Sequence, residues 1–182
     1  DDGGDASGSI FVFYGGVTSG TATSQASVKL TGDAAGDLFG CYISSSGDIN
    51  GDGKSDVVAG AYADDDGGSN SGSAFIFYGG VTSGAATTQA SVKLTGDSAT
   101  DYFGKVLSFA GDVNGDGKDD VIVGAYADDD GGAASGSAFI FYGGVTSGAA
   151  TKKASVKLTG DSAADKFGTS VSAVGDVNGD GK

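Results

Sequence analysis

Apolar residues along this chain fall into short runs, which are separated by turns rich in Gly, Ser and Asp. The runs Val121–Val123 and Phe139–Phe141 are apolar at consecutive positions, as expected for strands that are covered on both faces. No apolar run approaches the roughly 20 residues of a membrane helix. The pattern predicts an all-β protein without membrane insertion, and within one period of the pattern it predicts four strands: Lys105 to Ala110, Asp120 to Ala125, Ser137 to Tyr142 and Ser155 to Leu158.

This pattern returns every 64 residues without a gap. Four short antiparallel strands make one blade of a β-propeller, and a lone blade cannot bury both faces, so stacked blades create the core. Because a closed ring needs about four to eight blades, we expect an open or incomplete propeller from this chain alone. The expected division is strands three and four of a first blade at 1–38, full blades that each carry an Asp-rich loop at 39–102 and 103–166, and the first strand and truncated loop of a further blade at 167–182.

Each turn between the first and second strand of a blade carries the pattern Asp-x-Asn-x-Asp-Gly-x-x-Asp. Ca²⁺ takes six to eight oxygen ligands, and side chains at positions 1, 3, 5 and 9 converge if the loop wraps tightly around the Gly. Position 7 offers its backbone carbonyl, so a Lys is harmless there. The predicted ligands are Asp48, Asn50, Asp52, Lys54 and Asp56 in loop one, Asp112, Asn114, Asp116, Lys118 and Asp120 in loop two, and Asp176, Asn178 and Asp180 in loop three, which lacks position 9.

Two alternatives to this interpretation are weaker. An EF-hand needs a bidentate Glu at position 12 and flanking helices, whereas position 12 is Ala59 or Val123 within an apolar run. A plain Asp-Gly hairpin explains one loop, but not three loops at a fixed spacing. The acidic runs at 64–66 and 128–130 could add a second metal, but we expect solvated turns there.

The composition narrows the function classes. The formal net charge of −14 argues against nucleic-acid binding and suits a protein that binds cations. The chain has no His and no Glu, and its single cysteine, Cys41, does not recur in the other repeats. We therefore predict no enzymatic activity, and Asp-based chemistry at a metal is the remaining catalytic alternative. Cys41 predicts neither a disulfide framework nor a cysteine metal site.

The order of Phe103-Gly104, the loop at 112–120 and Gly124-Ala125-Tyr126 resembles the FG-GAP repeat of integrin α-subunit propellers and secreted bacterial proteins. The resemblance covers essentially the whole chain. It implies the same Asp and Asn ligands at positions 1, 3, 5 and 9 of both complete loops. The chain departs from the family at Tyr62 and Tyr126, where the family signature has Pro.

We therefore expect an extracellular, calcium-rigidified module that forms a structural or adhesive surface, or assembles like a filament, because millimolar calcium outside cells saturates even weak loops. Expected partners are other copies of the chain or further repeats, with a cell-surface protein or a glycan as a candidate. The alternative is a lectin- or receptor-like head that grips a specific ligand. Aromatic residues clustered in the inter-blade loops would favour that alternative.

Overall fold

A computed structural model describes residues 4–175. Its strands are short because Gly- and Asp-rich turns interrupt every apolar run after a few residues. The elements in chain order are β1 (Ser9–Val12), α1 (Ala22–Gln25), β2 (Val28–Thr31), β3 (Ile43–Gly47), β4 (Asp56–Ala61), β5 (Ser73–Phe77), β6 (Gly84–Ala85), α2 (Ala86–Gln89), β7 (Val92–Thr95), β8 (Val106–Gly111), β9 (Asp120–Ala125), β10 (Ser137–Phe141), β11 (Gly148–Ala149), α3 (Ala150–Lys153) and β12 (Val156–Thr159).

These strands form three open sheets. Strands β8, β9, β10 and β12 make a four-stranded antiparallel sheet, in which the strand order follows the chain. The second sheet repeats this arrangement with β3, β4, β5 and β7, and the first contains β1 and β2. The four predicted strands of residues 103–166 are confirmed to within one residue at each end.

The prediction of purely antiparallel blades without helix is corrected in two places. A four-residue helix precedes the last strand of each sheet, because an Ala-Thr-x-x segment closes a single turn there. The two-residue strands β6 and β11 then pair in parallel with β2 and β7 of the preceding sheet. Each repeat therefore reaches across to its neighbour and extends the neighbour's sheet by one strand.

The hydrophobic core lies between successive sheets. One cluster joins Leu30 and Phe39 to Phe75 and Phe77, and the other includes Leu94, Phe103, Phe139 and Phe141. We call the contact between two successive sheets a joint, and the Phe-Gly pair before the first strand of a repeat the Phe-Gly step. In both joints the Phe of the Phe-Gly step packs edge to face against two Phe rings of a central strand. The centroid distances are 5.4 and 6.0 Å at Phe39, and 5.5 and 6.0 Å at Phe103.

A glycine in the second strand of each full repeat allows the next sheet to approach closely. A Cβ atom on Gly60 of β4 would lie 1.9 Å from the carbonyl oxygen of Gly104, and one on Gly124 of β9 would lie 2.1 Å from that of Gly168. The first strand expected at 167–182 is not formed by residues 167–175, which show only an isolated bridge between Phe167 and Gly136. Residues 176–182 lie outside the described part.

Candidate functional site: the acidic loops

The two complete loops fold in the same way, because Asp at position 1 closes each loop on itself. Asp48 accepts hydrogen bonds from the backbone N–H groups of Gly51 (2.7 Å), Asp52 (3.0 Å) and Gly53 (2.7 Å). Gly51 and Gly53 both have positive φ, at 77° and 82°, which a side chain would disfavour. Asp112 makes the same three contacts at 2.7, 2.9 and 2.8 Å.

Positions 3 and 5 add a second layer of turn hydrogen bonds. Asn50 accepts from the N–H of Asp52 at 2.9 Å, and Asp52 accepts from the N–H of Lys54 at 2.9 Å. Hydrogen bonding by the Asn50 side chain lowers the pKa of Asp52, so this carboxyl stays ionised. The corresponding contacts of the second loop, at Asn114 and Asp116, measure 2.8 and 3.0 Å.

Position 9 has a structural role that the sequence did not reveal. Asp56 is fully buried, and its two oxygens accept from the N–H groups of Ile49 (2.9 Å) and Gly79 (2.8 Å). Burial raises the pKa of Asp56, and those two N–H donors oppose the rise. Asp120 repeats the arrangement with Val113 and Gly143. These carboxylates fasten each loop to the turn after the third strand.

The donor set suits calcium by its chemistry, since every side-chain ligand predicted in the two complete loops is a carboxylate or amide oxygen. Within residues 4–175, however, no three Asp or Cys side chains converge on a common point that could hold a metal. The side-chain oxygens of the predicted ligands are directed at backbone N–H groups, and Oδ1 of Asp48 and Oδ1 of Asp112 each accept two of them. The Lys54 ammonium is exposed, 3.5 Å from Asp52, which leaves its backbone carbonyl as the predicted ligand.

The third predicted loop, with Asp176, Asn178 and Asp180, lies outside the described residues. Because the described side chains of the first two loops do not converge on a metal position, the ligand assignments at all three loops stay predictions.

The first loop also contacts the next repeat. The N–H of Asp48 donates to the carboxylate of Asp119 at 2.7 Å, and the N–H of Asp119 donates back to the carbonyl of Asp48 at 3.1 Å. The N–H of Gly144 donates to the carbonyl of Ile49 at 2.9 Å. Asp119 is position 8 of the second loop, which was not a predicted site position, because the first loop has Ser55 there. The contact also depends on how the sheets stack. The loop is thus part of the joint between the repeats.

The acidic runs after β4 and β9, predicted to be solvated turns, are exposed at their second and third residues and buried at their first. Asp64 and Asp128 are buried. The Lys93 ammonium lies 2.8 Å from Asp64 and 2.6 Å from Asp66, and Lys157 bridges Asp128 and Asp130 in the same way. A lysine of the last strand therefore pairs with two of the three carboxylates in each run.

A further buried carboxyl lies near each of these ion pairs. It belongs to the Asp two residues before the Phe of the Phe-Gly step, which is Asp37 or Asp101. Burial raises the pKa of Asp101 to about 7, and the charges of Asp128, Asp97 and Asp129 add to the rise while Lys157 opposes it. Asp37 repeats this arrangement beside Asp64, with a pKa raised to about 6. These carboxyls titrate close to neutral pH.

Three tyrosines gather around a lysine at the joint between the two full repeats. The rings of Tyr102 and Tyr126 stack with centroids 5.4 Å apart, and Tyr62 lies 6.1 Å from Tyr102. The Lys105 ammonium lies 4.4 Å from the centroid of Tyr126 and 5.4 Å from that of Tyr62. All four side chains are partly exposed. None of the four was a predicted site residue; the sequence singled out Tyr62 and Tyr126 only as departures from the family's Pro, and Lys105 as the start of a strand.

Comparison with known protein families identifies a repeat family in two segments of the chain. The FG-GAP repeat model matches residues 42–77 and 103–141. Each matched segment runs from the first to the third strand of a repeat and contains one complete acidic loop. The finding confirms, over these two segments, the resemblance that the Phe-Gly pair and the loop pattern indicated. None of the helices in residues 4–175 is long and apolar enough to cross a membrane.

Proposed function

We propose that this chain, which carries FG-GAP repeats, is an extracellular, calcium-stabilised segment of propeller blades that serves as a structural or adhesive surface module. FG-GAP repeats imply propeller blades, commonly bind Ca²⁺ and are typically extracellular. The observation that carries the proposal is the contact of the first acidic loop with the next repeat through Asp119 and Gly144. Whatever orders the loop therefore also orders the joint.

In each loop the residues that would hold Ca²⁺ are the side chains at positions 1, 3, 5 and 9 and the carbonyl at position 7. Bound calcium would supply positive charge to a nine-residue segment that contains at least three carboxylates. Without it, those carboxylates repel one another, and the loop is ordered by the backbone N–H groups that donate to the side chains at positions 1, 3, 5 and 9. The chain contributes the wrapped backbone, and calcium relieves the repulsion.

The expected stabilisation is modest for each site. Extracellular calcium modules bind with dissociation constants of about 10⁻⁴ to 10⁻³ M, so calcium at about 1 mM stabilises each loop by roughly 0.4 to 1.4 kcal/mol. Two complete loops together contribute roughly 1 to 3 kcal/mol. For a chain of this size we expect Tm to rise by about 2 to 10 °C.

The test compares thermal unfolding in calcium and in excess EDTA for the wild type and for Asp116→Ala. Asp116 is exposed, so its loss costs little in EDTA but removes a ligand in calcium. We expect the calcium-dependent rise in Tm to shrink by about half in the variant. Asp161→Ala, which changes an exposed Asp outside the loops, is the matched control and keeps the full rise. An equal Tm in calcium and EDTA for the wild type would refute the proposal.

A second candidate function, a specific binding head, gains support from Tyr62, Tyr102 and Tyr126 around Lys105, because partly exposed aromatic rings near a cation can stack on a sugar ring. The matching experiment is a glycan array probed with the wild type and with Tyr102→Ala. A reproducible glycan signal that the variant loses would favour the binding head. A blank array would leave the structural module as the better account.

A further inference from the structure

A lysine in the last strand of each full repeat lies against a buried carboxylate. The Nζ atom of Lys93 is 2.8 Å from Oδ2 of Asp64, and the Nζ atom of Lys157 is 2.9 Å from Oδ2 of Asp128. The two aspartate side chains are only 3% and 4% exposed. The Lys93 Nζ also lies 4.8 Å from the ring centroid of Phe75, which shields one side of the pair from water. Each pair therefore holds an amine and a carboxyl group in contact, with limited access to water.

The second oxygen of each buried aspartate has a fixed hydrogen-bond donor. Oδ1 of Asp64 accepts the backbone N–H of Asp66 at 2.9 Å, and Oδ1 of Asp128 accepts that of Asp130 at the same distance. When an amine attacks the carbon between the two oxygens, negative charge develops on an oxygen, and a preorganised donor stabilises that charge. Oδ1 is therefore suited to remain as the oxygen of an amide, and Oδ2, which contacts the lysine, is suited to leave.

A neighbouring carboxylate can act as the base. Burial works to lower the pKa of Lys93, and its hydrogen bonds to Asp64 and Asp66 raise it, with a net rise. The ammonium must therefore give up a proton before it can attack. The Asp66 carboxylate lies 2.6 Å from the Lys93 Nζ and is 65% exposed, so it can accept that proton and exchange it with water.

A third, deeply buried carboxyl group can act as the acid. Asp37 and Asp101 are 7% and 5% exposed, and within residues 4–175 neither carboxylate accepts a hydrogen bond or forms an ion pair. Burial and the charge of Asp64 raise the pKa of Asp37 to about 6, and burial and the charge of Asp128 raise that of Asp101 to about 7. A share of these side chains therefore carries a proton at neutral pH.

We propose that each set of groups forms an intramolecular isopeptide bond, one between the Nζ of Lys93 and the Cγ of Asp64 and a second between Lys157 and Asp128. The ion-paired arrangement is the state of the chain before the bond forms. The bond goes beyond the proposed function, because a covalent cross-link needs no calcium.

The reaction balances with the groups at hand. The Lys93 ammonium gives one proton to Asp66, and its Nζ attacks Cγ of Asp64. The Nζ–Cγ bond forms and the Cγ–Oδ2 bond breaks, and Oδ2 leaves as water with one proton from Nζ and one from Asp37. The products are a neutral amide, one water, ionised Asp37 and protonated Asp66, so no oxidant, metal or external reagent is consumed.

Contact and burial decide which lysine reacts. Joining a free ammonium to a free carboxylate is uphill in water, but well-oriented groups within one molecule react as if at about 10⁵ to 10⁸ M. Lys54 also pairs with an aspartate, Asp52, but at 3.5 Å and with side chains that are 63% and 36% exposed. We expect no bond there, so the chain carries its own negative control.

Each bond fastens the last strand of a sheet, β7 or β12, to the turn after its second strand. It closes residues 64–93 or 128–157 into a covalent loop, which limits the freedom of the unfolded chain as a disulfide does. A module exposed on a surface thereby gains resistance to unfolding without cysteine pairs.

The test is intact-mass spectrometry of the purified chain, followed by tryptic mapping. Each bond lowers the mass by one water, so the wild type should be lighter than its sequence by at least two waters, with or without EDTA. Trypsin does not cut after a cross-linked lysine, so residues 55–105 should remain one fragment, and 119–152 should stay joined to 154–166. A succinimide at an Asp-Gly pair also loses one water, but it leaves the cut after Lys93 intact. The cut after Lys54 should occur normally.

Variants of one site separate the roles of its residues. Lys93→Arg keeps the positive charge but removes the amine, so it should lose one water fewer than the wild type and keep the bond at Lys157. Asp37→Asn keeps the size of the side chain but removes the acid, and formation of the bond should slow by about 10² to 10⁴-fold. Asp33→Asn, at an exposed position, is the matched control and should react like the wild type. Far-UV circular dichroism checks that every variant is folded.

Three results would overturn the proposal. The first is a wild type that still releases fragment 55–93 with a free Lys93 amine after prolonged incubation at neutral pH. The second is a folded Lys93→Arg variant that loses as many waters as the wild type. The third is a folded Asp37→Asn variant that reacts as fast as Asp33→Asn, because the acid would then have no part in the reaction.

Discussion

The Phe of the Phe-Gly step is buried between two sheets in one repeat and exposed in another, so the same substitution can be compared in both surroundings. Phe103 is fully packed between two sheets, with edge-to-face contacts to Phe139 and Phe141 at 5.5 and 6.0 Å. Phe167 occupies the corresponding place after β12 and is 42% exposed. The substitutions Phe103→Ala and Phe167→Ala therefore remove the same atoms from two different surroundings.

Truncation of a buried Phe to Ala costs about 3 to 5 kcal/mol, and each edge-to-face pair contributes about 0.5 to 1.5 kcal/mol beyond the buried area. Two such pairs place Phe103→Ala in the upper part of this range, at about 4 to 5 kcal/mol. Phe39→Ala should cost a similar amount, since its ring distances are nearly identical. We expect less than about 1 kcal/mol for the exposed Phe167→Ala.

The assay is equilibrium unfolding in urea at constant calcium, followed by tyrosine fluorescence and circular dichroism. All variants are compared at the same low micromolar protein concentration. A cost for Phe167→Ala within about 1 kcal/mol of that for Phe103→Ala would refute the reasoning, because it would show that the next repeat does not supply the stabilisation.

Two further predictions concern the buried acids. In EDTA, the free energy of unfolding of the wild type should fall as pH rises from about 4 to 7. The pKa of Asp101 is about 7 in the folded protein and about 3.9 in the unfolded chain. Protonated Asp101 therefore contributes its full stabilisation below about pH 3.9, and this stabilisation is lost as pH rises through the folded pKa. Asp101→Asn should reduce this fall by roughly 2 kcal/mol, which is about half of the pKa difference converted at 1.36 kcal/mol per pKa unit, to allow for solvent screening. Asp165→Asn, at an exposed position, should leave the fall unchanged. Urea unfolding at each pH measures the free energy of unfolding of both variants, and an unchanged pH dependence in Asp101→Asn would contradict this prediction. Lys157→Met leaves the buried Asp128 without its ion pair and should lower the free energy of unfolding by about 2 kcal/mol in the same assay at pH 7.5. Lys152→Met, at an exposed position, should cause no measurable change. Equal effects of the two substitutions would contradict the prediction.

Strand positions were predictable because each strand carries its own signal. The apolar run Asp120–Ala125 is bounded by turn residues on both sides, and the structure places β9 at the same bounds. The helices and the strands β6 and β11 were not predictable. A four-residue helix is too short to show a helical period, and Gly84–Ala85 has no hydrophobic signal of its own. Its pairing with Leu30 and Thr31 is set by the neighbouring repeat.

The candidate site was predictable in position but not in its contacts. The loop pattern located Asp48 and Asp52 at a turn, which the structure confirms. It could not reveal that Asp56 binds the N–H of Gly79, because that donor lies 23 residues away and arrives only when β5 pairs with β4. The contact of Asp48 with Asp119 spans 71 residues. Such contacts depend on how the sheets stack, which a local pattern does not encode.

Calcium and protons are expected to act on the same joint in opposite directions. Falling pH protonates Asp101 and relieves its repulsion with Asp128 and Asp129, so the joint gains stability of its own. The same fall protonates loop carboxylates, which must be ionised to hold a cation, and burial has already raised the pKa of Asp120 among them. The stabilisation by calcium should therefore shrink as the intrinsic stability grows. Because nearest-neighbour joints dominate the stability of repeat proteins, this exchange would hold the array together over a wider pH range than either mechanism alone.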